Sequence, residues 1–190
     1  MNLKLAKEEK GITLVALMVT VIVMLILAAV TINFSTTQIR NANLQNFKTN
    51  MLLIEAKAKE YVEKANYQLG VKPEEAINNA DLLSKSQNEL QGDGKGTKVD
   101  ASNSIVSTLK RINISDEDIN NGNVYILSTQ DLETMGLKDV KSDEENGYFV
   151  LVYNILDASV KVYNTEGFSI GNGEIKYCLD DIRDVNGVEE

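Results

Sequence analysis

The sequence predicts an α+β fold: one long N-terminal helix, a membrane half followed by an amphipathic half, packed on a small antiparallel sheet domain. Three observations carry this expectation. No charged residue occurs from Ile12 to Ile39. Apolar residues then recur at steps of three and four from Leu44 to Ala65. From Asn123 onward, apolar residues gather in short β-branched and aromatic stretches. A period near 3.6 marks a helix face, and short alternating runs mark strands.

The charge-free region begins with ITLVALMVTVIVMLILAAVTI, the 21 residues Ile12 to Ile32, polar only at threonines. As a helix this run spans roughly 30 Å, the thickness of a bilayer core. Its many β-branched residues favour a strand in water. In lipid a lone strand leaves its backbone groups unpaired, so a helix is expected. Lys4, Lys7 and Lys10 precede the run, and the chain beyond it is acidic. The positive-inside bias then places residues 1–10 in the cytoplasm and the C-terminal domain outside. An ordinary secretory signal has an apolar stretch of roughly 7–15 residues. The run here is longer, and Ala28-Ala29 is followed by further apolar residues, so removal after the run is not expected.

Beyond Arg40, Leu44, Phe47, Met51, Ile54, Ala58, Tyr61 and Ala65 form one stripe, with Lys48, Glu55, Lys57, Glu60, Glu63 and Lys64 at other positions. This is an amphipathic helix ending near Asn66, stopped by Gly70 and Pro73. Joined to the apolar run, it makes a helix from Ile12 to about Asn66, roughly 80 Å long. The stripe is expected to lie on the chain's own domain; a coiled coil is the alternative, with a pattern covering about three heptads.

Residues 73–122 are polar and helix-prone, with a helix start at Pro73 and a second short helix over Ser102–Ile112. Gln91–Asp100, QGDGKGTKVD, reads as a loop. It lacks the Gly-Lys-Ser/Thr ending of a phosphate-binding loop and no strand precedes it. Four strands are expected in NVYILST, YFVLVYNI, SVKVYN and EIKYCL. STQDLETMGL forms a helical turn between the first two, Leu156-Asp157-Ala158 a tight turn, and Gly171-Asn172-Gly173 the last connection. Connections this short make neighbours antiparallel.

Composition excludes several classes. The formal charge is −9 and no basic stripe occurs, so nucleic acid is not an expected partner. Histidine is absent, which removes the commonest general base and metal ligand. No cofactor, serine motif or paired-acid scaffold is apparent, and no enzymatic activity is expected. The single cysteine, Cys178, has no partner within the chain for a disulfide and is expected as a small buried strand residue. Asp116, Asp118 and Asn120 hint at a calcium loop, but Gly122 comes one residue late and Leu127 stands where a bidentate glutamate is needed. They are weak candidates beside the plainer expectation of a capped turn. Asp180, Asp181 and Asp184 are weaker still.

Lys10-Gly11 followed by Ile12-Thr13-Leu14 and about twenty apolar residues resembles the N-terminus of type IV prepilins and pseudopilins, in particular the type found in Gram-positive bacteria. VYNTEG, residues 162–167, is similar to segments in C-terminal regions of that group. The resemblance is most specific over residues 4–40 and weaker over 123–180. It implies a leader of residues 1–11, cut by a membrane-embedded prepilin peptidase between Gly11 and Ile12, with N-methylation at Ile12. It further implies a membrane and fibre-core helix over 12–39, its amphipathic continuation over 40–66, and an extracytoplasmic α+β domain over 67–190. Two departures stand out. Most assembled pilins carry a glutamate five residues after the cut, where this chain has Ala16. Many also have a proline 22 residues after it, where this chain has Asn33.

Two functions follow. The first is a structural subunit of a type IV pilus-like or type II secretion-like filament, stored in the cytoplasmic membrane. Its partners are prepilin peptidase, other pilin-like subunits and membrane lipid. Ala16 points toward a minor or accessory subunit, or a fibre type that does without the glutamate. The alternative is an uncleaved single-pass membrane protein that presents an extracellular binding domain.

Overall fold

The structure, a computed structural model, describes residues 5–171 and 173–188, with side chains described over 16–27, 36–171 and 173–188. The chain divides into two compact units, Met1–Asn43 and Leu44–Glu190. Among the described residues the secondary structure is mixed, with one five-stranded antiparallel sheet in the second unit. The fold is therefore α+β.

The first unit is the earlier part of α1 (Leu5–Tyr67). The helix starts before Ile12, the expected first residue, and includes Gly11. Leu5 to Lys10 are nearly all strong helix formers, and a single glycine costs a helix only about 1 kcal/mol. Among the described residues no helix is long and apolar enough to cross a membrane. Side chains of the charge-free run are described only over 16–27 and 36–39.

In the second unit, α1 presents Leu44, Met51, Ile54, Ala58, Val62 and Ala65 as fully buried residues. The predicted stripe is the core face, with Val62 carrying the burial and Tyr61 lying half-buried at its edge. The helix ends as expected, with Gly70 at φ 66° accepting the left-handed turn. α2 (Pro73–Ala76) starts on its proline. α3 (Ala80–Gln87) starts where the Asn79 side chain accepts the Leu82 N–H. A 3-10 turn follows at Asn88–Leu90.

β1 (Thr97–Lys98) lies inside the predicted loop. α4 (Val106–Arg111) and α5 (Asp116–Asn120) lead to β2 (Val124–Leu127). α6 (Thr129–Thr134) opens with a reciprocal cap, in which Ser128 accepts the Asp131 N–H and Asp131 accepts the Ser128 N–H. β3 (Phe149–Asn154), β4 (Ser159–Gly171), β5 (Glu174–Cys178) and α7 (Leu179–Ile182) complete the described chain.

The strands pair in sequence order, β1-β2-β3-β4-β5, each antiparallel to the next. Alternation then sorts their side chains between two faces. Tyr125, Leu127, Phe149, Leu151, Tyr153, Val160 and Val162 join the cluster built on α1. Val124, Val150, Val152, Tyr163 and Cys178 join a second cluster with Leu109, Ile112, Ile114 and Ile119. The register confirms the sorting: Leu151 pairs with Val162, and Val150 with Tyr163. The sheet is thus covered on one face by α1 and on the other by the α4–α5 segment.

Candidate functional site

The described part of the charge-free run, Ala16 to Leu27, is exposed at every position. Leu17 is 66% exposed and Met24 is 70% exposed. A helix that is apolar all round requires an apolar environment on every side. Thr20 fits such surroundings, since its hydroxyl donates to the Leu17 carbonyl at 2.8 Å and so presents no unpaired proton. Ala16 belongs to this segment. Gly11 and Ile12 lie in α1, with their side chains outside the described residues, as does that of Asn33.

The acidic candidates build turns. Asp116, Asp118 and Asn120 lie on α5, not on a ligand loop. Ser115 caps that helix by accepting the Asp118 N–H at 3.1 Å, while its hydroxyl donates to the Asp118 carboxylate at 2.6 Å. Lys110 holds Asp116 at 2.6 Å. Helical spacing points the middle residue away from the outer two, so the three do not converge on one point. Asp180 bridges to Arg183 at 3.3 Å, and Arg183 reaches Glu55 of α1 at 2.8 Å. Among the described residues no group of three or more acidic, cysteine or histidine side chains could hold a metal ion.

Cys178 is buried at the end of β5. Burial pushes its thiol above the ordinary value, which disfavours the reactive thiolate. The glycine-rich loop is tied down by its own contacts: Gly94 N–H donates to Asp131 at 3.0 Å and Lys95 to the Glu89 carbonyl at 2.7 Å. An open surface groove of about 440 Å³ lies between α3, α5 and the β3–β4 turn, lined by Leu83, Glu117, Asn121, Asn154 and Leu156 among others. Its polar lining is amide-rich, with Gln87, Asn121, Asn123 and Asn154.

VYNTEG has a definite structural task. Asn164 is buried, and its Oδ1 accepts the N–H groups of Glu166 and Gly167 at 3.0 Å each. Its Nδ2 donates to the carbonyls of Asn146 and Gly147 at 3.4 Å each. Thr165 Oγ1 accepts the Tyr148 N–H at 2.8 Å. Gly167 has φ 68°, and a Cβ there would meet the Lys176 carbonyl oxygen at 2.6 Å. Together these residues make the bulge where the β4–β5 register shifts between Tyr163 and Phe168. Asn66 is a second unforeseen fastener: its Nδ2 donates to the Ile155 and Leu156 carbonyls at 2.7 and 3.2 Å. A polar residue on the flank of an apolar stripe gives no sequence signal of such a role.

The distinctive features of the chain are therefore an uncovered apolar helical segment and a domain whose polar clusters serve its own turns. No family model matches the chain, and neither a curated protein nor a solved structure matches it.

Proposed function

We propose that this chain is a structural subunit of a type IV pilus-like or type II secretion-like filament, a pilin or pseudopilin in role. The observation that carries this reading is the join at Lys10-Gly11-Ile12-Thr13-Leu14, where a lysine-bearing leader meets a run without charge. The exposed apolar side chains of Ala16–Leu27 support it, because such a segment needs lipid or like helices around it. The later turns of α1, packed on an antiparallel sheet, suit a subunit whose domain stays outside the membrane. In this reading prepilin peptidase cuts between Gly11 and Ile12 and the new N-terminus at Ile12 is methylated. The chain is held in the cytoplasmic membrane with its N-terminus inside, then packs with sibling subunits in an extracellular filament.

The second reading is an uncleaved single-pass protein presenting a binding domain, and one departure bears on assembly in the first. Ala16 supplies no carboxylate to offset a neighbour's N-terminal amine, and an unpaired buried cation is expensive. N-terminal sequencing and intact mass of the protein recovered from its host separate the two. A chain beginning at Ile12 supports the filament reading, and one beginning at Met1 overturns it. Gly11→Leu should leave a precursor heavier by the leader. Assembly is tested apart from processing: Ala16→Glu should raise recovery in the sheared filament fraction if the missing carboxylate limits packing.

A further inference from the structure

The chain contains four Asn-Gly pairs: Asn121-Gly122, Asn146-Gly147, Asn172-Gly173 and Asn186-Gly187. Asn172 lies outside the described residues. In such a pair the glycine nitrogen can reach the asparagine Cγ, because no Cβ on the glycine obstructs it. The N–Cγ bond forms as the Cγ–Nδ2 bond breaks, and ammonia leaves carrying the amide proton. Water then opens the resulting succinimide at either carbonyl, giving aspartate or isoaspartate.

The fold treats the described pairs unequally. Asn121 closes α5 at φ −75° and ψ −5°, a helical ψ that has to rotate before the ring can close. Its N–H donates to the Glu117 carbonyl at 2.9 Å, and the attacking nitrogen, Gly122 N–H, donates to the Ile119 carbonyl at 3.1 Å. Its own carbonyl accepts from Gln87 Nε2 at 2.8 Å. Asn146 is held by Asp143, which accepts both its side-chain Nδ2–H at 2.8 Å and its backbone N–H at 2.9 Å. The Asn146 and Gly147 carbonyls also accept from the buried Asn164 amide.

Asn186 is exposed, and neither it nor Gly187 makes a hydrogen bond among the described residues. The segment around the pair is nonetheless anchored. Val185 N–H donates to the Ile182 carbonyl at 3.1 Å, the Val185 carbonyl accepts from Lys48 Nζ at 3.2 Å, and Val188 is buried. The leaving amide thus sits exposed, and the attacking nitrogen, on half-buried Gly187, is unbonded among the described residues, between two fixed points. We propose that Asn186 is a site of spontaneous deamidation, a modification that adds a negative charge to the C-terminal segment running beside α1. Its isoaspartate product would also lengthen the main chain by one methylene, directly after the carbonyl that Lys48 holds. The proposal does not depend on the filament reading.

The test incubates the full chain, purified in detergent, in mildly alkaline buffer and follows it by trypsin digestion and mass spectrometry. Trypsin places Asn121, Asn146 and Asn186 in separate peptides, 112–138, 142–161 and 184–190. The 184–190 peptide should gain the mass of an amide-to-acid change first and split chromatographically into two products. Its rate should exceed the other two by at least about tenfold, since one hydrogen bond at the upper end of its net range is worth about that factor. In concentrated urea the three rates should converge, and Gly187→Leu should remove the lead. Equal rates in the native chain, or a lead that persists in urea, would overturn the proposal, because the fold would then not be the cause.

Discussion

Replacing Tyr153 by phenylalanine should stabilise the domain, the reverse of what removing a tyrosine hydroxyl ordinarily does. Tyr125 and Tyr153 are both fully buried between the sheet and α1, and neither hydroxyl has a hydrogen-bond partner. Their rings meet edge to face with centroids 5.2 Å apart, a favourable contact that phenylalanine keeps. A buried hydroxyl left unpaired costs about 1–3 kcal/mol, and deleting one oxygen leaves little void. Tyr153→Phe should therefore gain about 1–2 kcal/mol. That corresponds to a rise in Tm of roughly 2–8 °C for a domain of this size. Urea titration of the full chain in detergent, followed by far-UV circular dichroism, measures the gain. Thr165→Val is the control, because the Thr165 hydroxyl accepts the Tyr148 N–H at 2.8 Å and its removal should lose stability. A loss of 1 kcal/mol or more in Tyr153→Phe would refute the reasoning by showing that the hydroxyl is bonded.

Asn164→Ala should destabilise by about 3 kcal/mol, since it strands two N–H groups and two carbonyls at the bulge, and Asn164→Asp should fall between because it keeps the acceptor; equilibrium unfolding reads both. Gly167→Ala should cost at least about twice as much as Gly136→Ala. Both glycines have positive φ, but only at Gly167 would a Cβ meet backbone, so their difference in Tm isolates the clash. Burial raises the Tyr125 pKa from 10.0 to about 12. A raised folded value means stability is fully present below pH 10 and is lost as pH rises through about 12. Two pH units correspond to about 3 kcal/mol at most for this group, so urea midpoints should fall across that window, and Tyr125→Phe should reduce the fall while Tyr153 and Tyr163, also raised by burial, supply the rest.

The core stripe of α1 was legible because helical period and burial agree at Leu44, Met51, Ile54, Ala58 and Ala65. Phe47 and Tyr61 stay half-buried at the margin, and beside Tyr61 it is Val62 that is fully buried. β2, β3 and β5 stood out as β-branched and aromatic runs, and their order followed from short connections. β1 was not legible. Its two exposed residues sit in a glycine-rich loop, and pairing with Tyr125 and Ile126 is what makes them a strand. β4 runs to Gly171, well past the predicted end at Asn164, because Asn-Thr-Glu-Gly reads as a turn locally. The bulge that carries the strand through those residues depends on carbonyls 17 and 18 positions away. The acidic stretch was ambiguous for a related reason: Ser115 caps it into the helical turn α5, a turn that its spacing alone did not distinguish from a ligand loop.

The sheet order has a consequence for the timing of folding. Each strand pairs with its sequence neighbour, so the sheet can grow by successive local closures, which are fast. α1 is different. Its fasteners reach forward 89 positions from Asn66 to Ile155 and 128 from Glu55 to Arg183. The first part of the domain to be synthesised is therefore the last to find its partners. Until β3 and α7 have emerged, the face from Met51 to Ala65 has only part of its cover, from residues such as Leu90, Tyr125, Leu127 and Leu132, and a newly made chain carries an incompletely covered apolar stripe for much of its synthesis.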